Sequence, residues 1–184
     1  MTPHKPNKAV FLDRDGVLNA TSVKEGTPYP PANVDQLSIL PGVVEATKRL
    51  KEEGFLLIVV TNQPDVARGT VTKDTVEEIN HFLISKLPID EFRTCFHDTL
   101  DDCSCRKPKP GAILDAARKW GIDLGQSFMV GDRWRDIDAG KAAGVRTIFI
   151  DYGYKEKQPW AFDFKASSLL DALPYLLGLT NNSL

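Results

Sequence analysis

Four short apolar runs divide this sequence and indicate its architecture. They are rich in β-branched and aromatic residues, and they do not alternate with polar residues. Runs of this kind are typical of strands that are covered on both faces, as in a parallel sheet. We therefore predict buried strands at Ala9–Leu12, Phe55–Val60, Phe128–Val130 and Arg146–Ile150.

Five stretches with helical spacing of apolar residues lie between and after these runs. They are Gly42–Glu53, Lys73–Lys86, Pro110–Trp120, Trp134–Ala143 and Ser167–Leu177. Three of them end directly before a glycine, which can adopt the left-handed conformation that turns the chain back. Strands and helices that alternate with short turns indicate βαβ units. The predicted fold class is α/β, with a doubly wound, Rossmann-like parallel sheet.

Composition narrows the class of protein further. The chain has 184 residues, enough for one well-filled domain, and we predict a single domain over residues 1–184. Its net charge of -2 predicts neither a nucleic-acid partner nor an acidic membrane surface. No apolar run approaches the roughly 20 residues that span a bilayer, and no signal-peptide pattern precedes the first acidic residues. We expect a cytoplasmic protein.

Polar residues follow three of the predicted strands. Asp13 and Asp15 come after the first strand, Thr61 and Asn62 after the second, and Asp132 and Asp136 after the third. In an open parallel sheet, ligands bind at the carboxyl ends of the strands. A single Asp or Thr often caps a helix or forms a turn, but this whole set at one edge of the sheet favours a functional site.

The residue types at this edge suit phosphoryl transfer. Aspartates held close together repel one another unless a cation lies between them, and carboxylate oxygens suit Mg²⁺. Phosphoryl transfer also needs a positive side chain, hydrogen-bond donors and an in-line nucleophile. Lys107 or Arg106 can supply the positive charge, and Thr61 and Asn62 can supply the donors.

All the cysteines of the chain lie in one short stretch with a histidine. The four residues are Cys95, His97, Cys103 and Cys105. Free buried cysteines are one interpretation. A redox pair is another, although Cys103-Ser104-Cys105 does not match the C-x-x-C pattern. Catalytic zinc needs an open coordination position, and four protein ligands leave none, so the pattern favours a structural zinc site.

Four motifs in order resemble those of the haloacid dehalogenase-like phosphohydrolases. They are FLDRDGVLN, VVTNQ, RKPKPG and VGDRWRDIDAG, which together span Phe11 to Gly140. The resemblance implies that Asp13 attacks phosphorus and that Asp15 acts as general acid and base. It implies that Thr61 and Lys107 hold the phosphoryl oxygens. The implied Mg²⁺ ligands are the Asp13 carboxylate, the Asp15 main-chain carbonyl and the Asp132 carboxylate, with Asp136 orienting the metal-bound waters.

The loop with the pattern C-x-H…C-x-C-R-K-P resembles the zinc-bearing branch of this superfamily. That branch contains the D-glycero-D-manno-heptose bisphosphate phosphatases and the histidinol-phosphate phosphatases. TNQPDVARG and KPKPGAIL resemble the heptose group, although Pro64 and Asp65 depart from its pattern. The resemblance therefore favours a heptose 1,7-bisphosphate 7-phosphatase, with histidinol phosphate as the alternative substrate.

The heptose group also implies a substrate wall. Its residues would be Thr21, Ser22, Val23, Lys24, Asn62, Gln63, Pro64, Arg106 and Arg133. Two arginines suit a substrate with a second anionic group, because a guanidinium can grip a distal phosphate. The gaps between the motifs leave room only for short elements, so we expect no large cap domain, an open active site and a monomer.

Other classes of protein fit the sequence less well. A nucleic-acid 3′-end phosphatase should carry a basic groove, which the net charge argues against. In a phospho-acceptor receiver domain the phosphorylated Asp ends the third strand, whereas here the Asp pair follows the first. A zinc-binding interaction module would not need Asp13, Thr61 and Asp132.

Overall fold

Six parallel strands form the central sheet of the computed structural model, which describes residues 6–179. In chain order the strands are β1 (Lys8–Leu12), β2 (Ser22–Lys24), β3 (Thr27–Tyr29), β4 (Phe55–Asn62), β5 (Glu91–Cys95), β6 (Phe128–Gly131), β7 (Arg146–Ile150) and β8 (Phe164–Ala166). The order across the sheet is β5-β4-β1-β6-β7-β8, and β2 and β3 form a separate antiparallel hairpin. Because the chain winds outward in both directions from β1, the predicted doubly wound parallel sheet is confirmed.

All five predicted helices are present, with ends that shift by at most two residues. They are α1 (Val43–Glu52), α2 (Lys73–Lys86), α3 (Gly111–Trp120), α4 (Trp134–Ala143) and α5 (Leu169–Leu176). None of the helices within residues 6–179 is both long and apolar enough to cross a membrane.

The helices cover both faces of the sheet and bury its central strand. Val10 and Leu12 pack into a cluster with apolar residues of α1, α2 and α5. Ala9 and Phe11 pack into the opposite cluster, with apolar residues of α3 and α4. All four side chains are 0% exposed. A strand packed on both faces cannot shift without opening the core, so the residues that follow β1 are rigidly placed.

Two edge strands and the hairpin were not predicted. In β5 only the last residue, Cys95, is buried, and β8 has just three residues. Neither strand therefore carries the buried apolar run that identifies the inner strands. Conversely, β4 is longer than predicted and includes Thr61 and Asn62.

The hairpin lies within the proline-containing segment between β1 and α1. Its turn residues Glu25 and Gly26 have φ values of 52° and 85°, and Lys24 pairs with Thr27 across it. Two consecutive positive φ values match the twist of a two-residue type I′ hairpin. The Gly26 carbonyl accepts a hydrogen bond from the Lys155 amide at 2.9 Å, which ties the hairpin tip to the loop after β7. No large cap domain interrupts the described residues, as expected.

Candidate active site

Asp13 lies directly after β1 and is joined to Lys107 by a buried ion pair. The Lys107 Nζ is 2.9 Å from Asp13 Oδ1 and 2.6 Å from Asp136 Oδ1. It also donates a hydrogen bond to the Val60 carbonyl at 2.6 Å. The Arg14 amide donates to Asp13 Oδ1 at 2.8 Å. Asp13 Oδ2 makes no hydrogen bond among the described residues, which leaves one carboxylate oxygen available for another partner.

Three carboxylates meet at this point. Oxygen atoms of Asp13, Asp132 and Asp136 lie within 4.8 Å of one another, and all three residues are buried. Burial raises the pKa of Asp13 to about 7, and the neighbouring Asp136 charge adds to the effect. Burial also raises the pKa of Asp132, with the Asp13 charge as the next cause. The anionic forms of Asp13 and Asp132 are thus destabilised by their surroundings.

The set fits a divalent cation. Three carboxylates against the one ammonium of Lys107 leave an excess of two negative charges. Asp132 Oδ1 is buried and has no hydrogen-bond partner in the described structure. A buried polar atom without a partner is costly, and a metal ion is one group that satisfies it. Oxygen-only donors of this kind suit Mg²⁺.

Asp136 differs from Asp13 and Asp132 because both of its oxygens already have partners. Oδ1 contacts Lys107, and Oδ2 accepts a hydrogen bond from the Arg133 amide at 3.0 Å. These contacts join the first turn of α4 to the loop that carries Lys107.

Two glycines allow the carboxylates to approach the backbone. A Cβ atom on Gly16 would lie 2.0 Å from Asp132 Oδ2, and Gly16 also has a φ of 87°. A Cβ atom on Gly131 would lie 2.1 Å from the Asp136 Cβ. Only glycine fits these two positions without displacing a carboxylate.

Asp15 sits in its own hydrogen-bond network. The Arg14 guanidinium contacts both of its oxygens, with Nη2 3.0 Å from Oδ2. The Asn19 side chain donates to Oδ1 at 2.9 Å, and Gln63 Nε2 donates to Oδ2 at 2.8 Å. Arg14 is 1% exposed, so this charge is held inside the protein. Its second anchor is Asn80 of α2, whose Oδ1 accepts from Arg14 Nη1 at 3.1 Å.

Three polar side chains lie at and just after the end of β4: Thr61, Asn62 and Gln63. Thr61 Oγ1 accepts a hydrogen bond from Gln63 Nε2 at 2.9 Å, so Gln63 bridges Thr61 and Asp15. The Asn62 side chain pairs with the main chain of Lys107 in both directions, at 2.9 and 3.0 Å. Asn62 and Gln63 thus hold neighbouring parts of the site in place.

A cavity of about 340 Å³ opens above these groups. Its floor includes Asp13, Asp15, Thr61, Lys107, Asp132 and Asp136. Of the predicted substrate wall, the structure brings six residues to this cavity. They are Thr21, Asn62, Gln63, Pro64, Arg106 and Arg133.

The other three residues of the predicted substrate wall lie on the first strand of the hairpin. Ser22, Val23 and Lys24 do not line the cavity, and all three are exposed. The chain reverses at Glu25 and Gly26, and it is the returning segment Thr27–Pro30 that lies along the cavity. The sequence carried no signal for this reversal beyond the single Gly26, because the neighbouring prolines argue against a strand.

Four arginines line the cavity, and three of them have partners on the protein. They are Arg68, Arg106, Arg133 and Arg135. Asp98 accepts two hydrogen bonds from Arg68, at 2.7 and 2.8 Å. Arg106 donates to the His97 carbonyl at 3.0 Å, and Arg133 forms a bidentate pair with Glu156. Burial lowers the pKa of Arg135, and the adjacent Arg133 charge lowers it further.

The predicted zinc ligands form a compact cluster. The three sulfur atoms lie 3.2 to 3.6 Å apart. His97 Nδ1 lies 3.6 Å from the Cys95 sulfur and 3.4 Å from the Cys105 sulfur. In a tetrahedral site with Zn–S bonds of about 2.3 Å, ligand sulfurs are about 3.8 Å apart. The cluster is therefore close to the size of a zinc site, and its donor set fits that ion.

The two clusters are joined by a very short piece of chain. Cys105 precedes Arg106 and Lys107 directly, and the Arg106 guanidinium contacts the His97 carbonyl within the cysteine loop. Burial raises the pKa of the Cys95 and Cys105 thiols. A cation among the sulfurs would favour the thiolate forms.

Several residues of the site were not predicted from the sequence. They are Arg14, Asn19, Asn80, Arg135 and Glu156. Arg14 lies between the two aspartates of the first motif, and this position is its only sequence signal. Arginine is mostly exposed in proteins, so composition predicts a surface position for it. Glu156 lies in a loop without a periodic pattern, where nothing in the sequence indicates a partner for Arg133.

Comparisons with known proteins show the family of this chain. A family model described as haloacid dehalogenase-like hydrolase matches residues 29–144. The chain belongs to this family. A D-glycero-beta-D-manno-heptose-1,7-bisphosphate 7-phosphatase from Rhodopseudomonas palustris is 38% identical over 158 residues, covering 79% of this chain and 84% of the relative. The protein of the same name from Haemophilus ducreyi is 34% identical and covers 92% of this chain and 98% of the relative.

A solved structure resembles the chain over nearly its whole length. It is the D,D-heptose 1,7-bisphosphate phosphatase from B. bronchiseptica, complexed with magnesium and phosphate. The TM-score is 0.75 at 28% sequence identity, and the match covers 94% of this chain and 99% of the other. The fold and the family predicted from the four motifs are confirmed.

Proposed function

We propose that this member of the family is a Mg²⁺-dependent phosphatase that removes the 7-phosphate from D-glycero-D-manno-heptose 1,7-bisphosphate. One observation carries the reaction class: the buried Asp13 pairs with Lys107 and lines the same open cavity as Asp132. The Asp132 Oδ1 atom has no hydrogen-bond partner in the described structure. The substrate is supported by the relatives of that name, which are 34–38% identical over most of the chain.

Asp13 is the nucleophile of this proposal. One of its carboxylate oxygens attacks phosphorus, the bond from phosphorus to the sugar oxygen breaks, and an aspartyl-phosphate forms. Splitting hydrolysis into two displacements lowers the barrier of each. The Lys107 ammonium 2.9 Å away offsets the repulsion between the carboxylate and the anionic phosphate.

Asp15 is the general acid and base. It gives a proton to the leaving sugar oxygen, then takes one from the water that attacks the aspartyl-phosphate and releases inorganic phosphate. Arg14, Asn19 and Gln63 hold its two oxygens in one orientation. Because Gln63 also contacts Thr61, a single amide sets the spacing between the acid and a proposed phosphate-binding hydroxyl.

The metal ligands in this proposal are Asp13, the main-chain carbonyl of Asp15, and Asp132. When bound there, Mg²⁺ neutralises the carboxylates and the developing charge on the transferred phosphoryl group. Asp136 has both oxygens engaged by Lys107 and by the Arg133 amide, which suits a role in orienting the surroundings of the ion. Lys107 and Thr61 hold the phosphoryl oxygens.

The cysteine cluster is proposed to bind a structural zinc ion. All four ligand positions are protein side chains, which leaves no site for substrate or water. The ion would fix the loop immediately before Arg106 and Lys107. Its role is to position these two cations.

Phosphate release from a panel of substrates tests the proposal. The panel contains both anomers of heptose 1,7-bisphosphate, histidinol phosphate and fructose bisphosphate. The proposal predicts the highest kcat/KM for a heptose bisphosphate anomer, with turnover that requires Mg²⁺. A higher kcat/KM for histidinol phosphate would assign the enzyme to the other group of the branch, and absence of phosphate release from every compound would overturn the reaction class.

A further inference from the structure

Arg135 stands apart from the other arginines of the cavity. Within residues 6–179 it is the cavity arginine that has neither a carboxylate within ion-pair distance nor a hydrogen bond to the protein. Arg68 and Arg133 each form a close pair with an acidic side chain. Substrate can engage those two guanidiniums only in competition with Asp98 or Glu156, whereas Arg135 has no protein partner to give up.

The position of Arg135 is well defined even without such a partner. It lies in the first turn of α4, beside Asp136, so the helix fixes its backbone next to the proposed reaction centre. Its guanidinium carbon lies 4.8 Å from the centre of the Trp134 ring, a cation–π contact that favours this position of the side chain. An arginine that is already ordered loses less conformational entropy when it binds a ligand.

The surroundings of Arg135 favour an anion from outside the protein, because burial and the neighbouring arginine charges outweigh the attraction of Glu156 and Asp136. The side chain is half-buried in a cavity wall that also carries Arg106 and Arg133. A partly desolvated cation without an ion-pair partner is unfavourable, and a bound anion relieves that cost. The planar guanidinium matches the oxygens of a phosphate in a bidentate arrangement.

We propose that Arg135 binds the second phosphate of a bisphosphate substrate, the one that is not cleaved, and thereby sets the preference for bisphosphates over monophosphates. This inference rests on the proposed sugar-phosphatase function. It adds Arg135 to Arg106 and Arg133, the two arginines that the resemblance implies for this phosphate. Arg135 lies within the fourth motif, but the resemblance assigns it no role. Arg135 is a specificity-determining residue in this account, and it takes no part in the chemical steps.

The test compares each bisphosphate with the monophosphate that keeps the cleaved phosphate. The pairs are heptose 1,7-bisphosphate with heptose 7-phosphate, and fructose 1,6-bisphosphate with each of its two monophosphates. The variants are Arg135→Met, which keeps an apolar stem beside Trp134, and Arg135→Lys, which keeps the charge. Arg118→Met is the matched control, because Arg118 lies on the surface of α3, pairs with Asp115 and does not line the cavity.

Arg135→Met is expected to lower kcat/KM for the bisphosphate at least about tenfold, mainly through KM. Turnover of the monophosphate should stay within about twofold of wild type, which a structural defect would not allow. On the bisphosphate, kcat/KM of Arg135→Lys should lie between those of Arg135→Met and wild type. Arg118→Met should match wild type on every substrate. Equal losses on both members of a pair, or no loss on either, would overturn the inference.

The wild-type enzyme separates this inference from the proposed function. If the wild type does not hydrolyse the heptose pair, the proposed substrate is wrong, and the fructose pairs still decide the role of Arg135. If the wild type prefers no bisphosphate to its monophosphate in any pair, the inference about a second phosphate is wrong, whatever the identity of the sugar.

Discussion

The two metal-capable clusters of this protein are built in opposite ways. Asp13, Asp132 and Asp136 are buried carboxylates. The ends of β1 and β6 place the first two, the first turn of α4 places the third, and the sheet is packed on both faces. The cysteine cluster lies at the edge strand β5 and in the loop beyond it, where Cys103 and Cys105 are only half-buried. The acidic cluster takes its rigidity from the core, whereas the cysteine loop has little core of its own.

The two clusters also differ in what their donor atoms leave open to substrate. In the acidic cluster Asp132 Oδ1 has no partner within residues 6–179, so this oxygen is available to a metal ion, and the adjoining cavity has room for substrate. In the cysteine cluster the four donor atoms lie close together, and four protein ligands would leave no coordination position for substrate. Lys107 links the two, because it touches Asp13 and lies two residues after Cys105.

Replacing Asp13, the proposed nucleophile, should show the difference between the two clusters most clearly. Asp13→Asn is expected to lower kcat by at least about 10³-fold, because the neutral amide cannot form the aspartyl-phosphate. Zinc content, measured by atomic emission, should remain that of wild type. The surface variant Asp115→Asn serves as the control. Substantial turnover by Asp13→Asn would remove Asp13 from the nucleophile role.

Replacing one proposed zinc ligand should have a smaller effect, and that effect should reach the acidic cluster. Cys105→Ser is expected to lose zinc and to lower kcat/KM roughly 10- to 100-fold, since Arg106 and Lys107 are no longer held. The measurement is zinc content and kinetics on the same preparation. A variant that loses zinc and keeps wild-type kinetics would show that the clusters are independent.

Beside the acidic cluster, replacing Arg14 should affect proton transfer by Asp15 more than attack by Asp13. Arg14→Lys keeps a charge but loses the guanidinium fork that holds both oxygens of Asp15. We expect kcat on a sugar phosphate to fall about tenfold. On an aryl phosphate, whose leaving group needs little protonation, the loss should be much smaller. Equal losses on both substrates, with Arg118→Lys unchanged, would contradict a role through Asp15.

The smallest effect is expected at the exposed side of the cysteine loop. Lys109 forms an ion pair with Asp102 there, and both side chains are exposed. Exposed pairs contribute little to stability. Lys109→Ala should therefore leave zinc content and kinetics at wild-type levels. Loss of zinc in this variant would mean that surface ion pairs, and not the ligands alone, hold the loop.

The inner part of the fold could be predicted because burial leaves a clear pattern. Strands covered on both faces must be apolar throughout, so Ala9–Leu12 and Phe128–Val130 were recognisable. Edge strands face solvent and mix residue types, as in Glu91–Cys95, so they left no such pattern. The hairpin depends on the left-handed turn at Glu25 and Gly26, which its sequence signals only weakly.

Some residues of the candidate site could likewise be predicted from the sequence, and others could not. The residues that end strands were predictable, because parallel strands deliver their last residues to one edge. Their partners were not, because contacts such as Gln63 with Asp15, or Arg133 with Glu156, join segments far apart in the chain. Which arginine remains without a partner, and so can bind substrate, depends on those contacts.

The Mg²⁺ dependence of turnover, measured on protein of known zinc content, tests the division between the clusters most directly. Wild type should need added Mg²⁺ while its zinc content stays constant at one ion per chain. Asp132→Asn should need much more Mg²⁺ at the same zinc content, because it removes an oxygen that the protein leaves unpartnered. Turnover that follows zinc content and needs no Mg²⁺ would contradict the account, since it would place the reaction at the cysteine cluster.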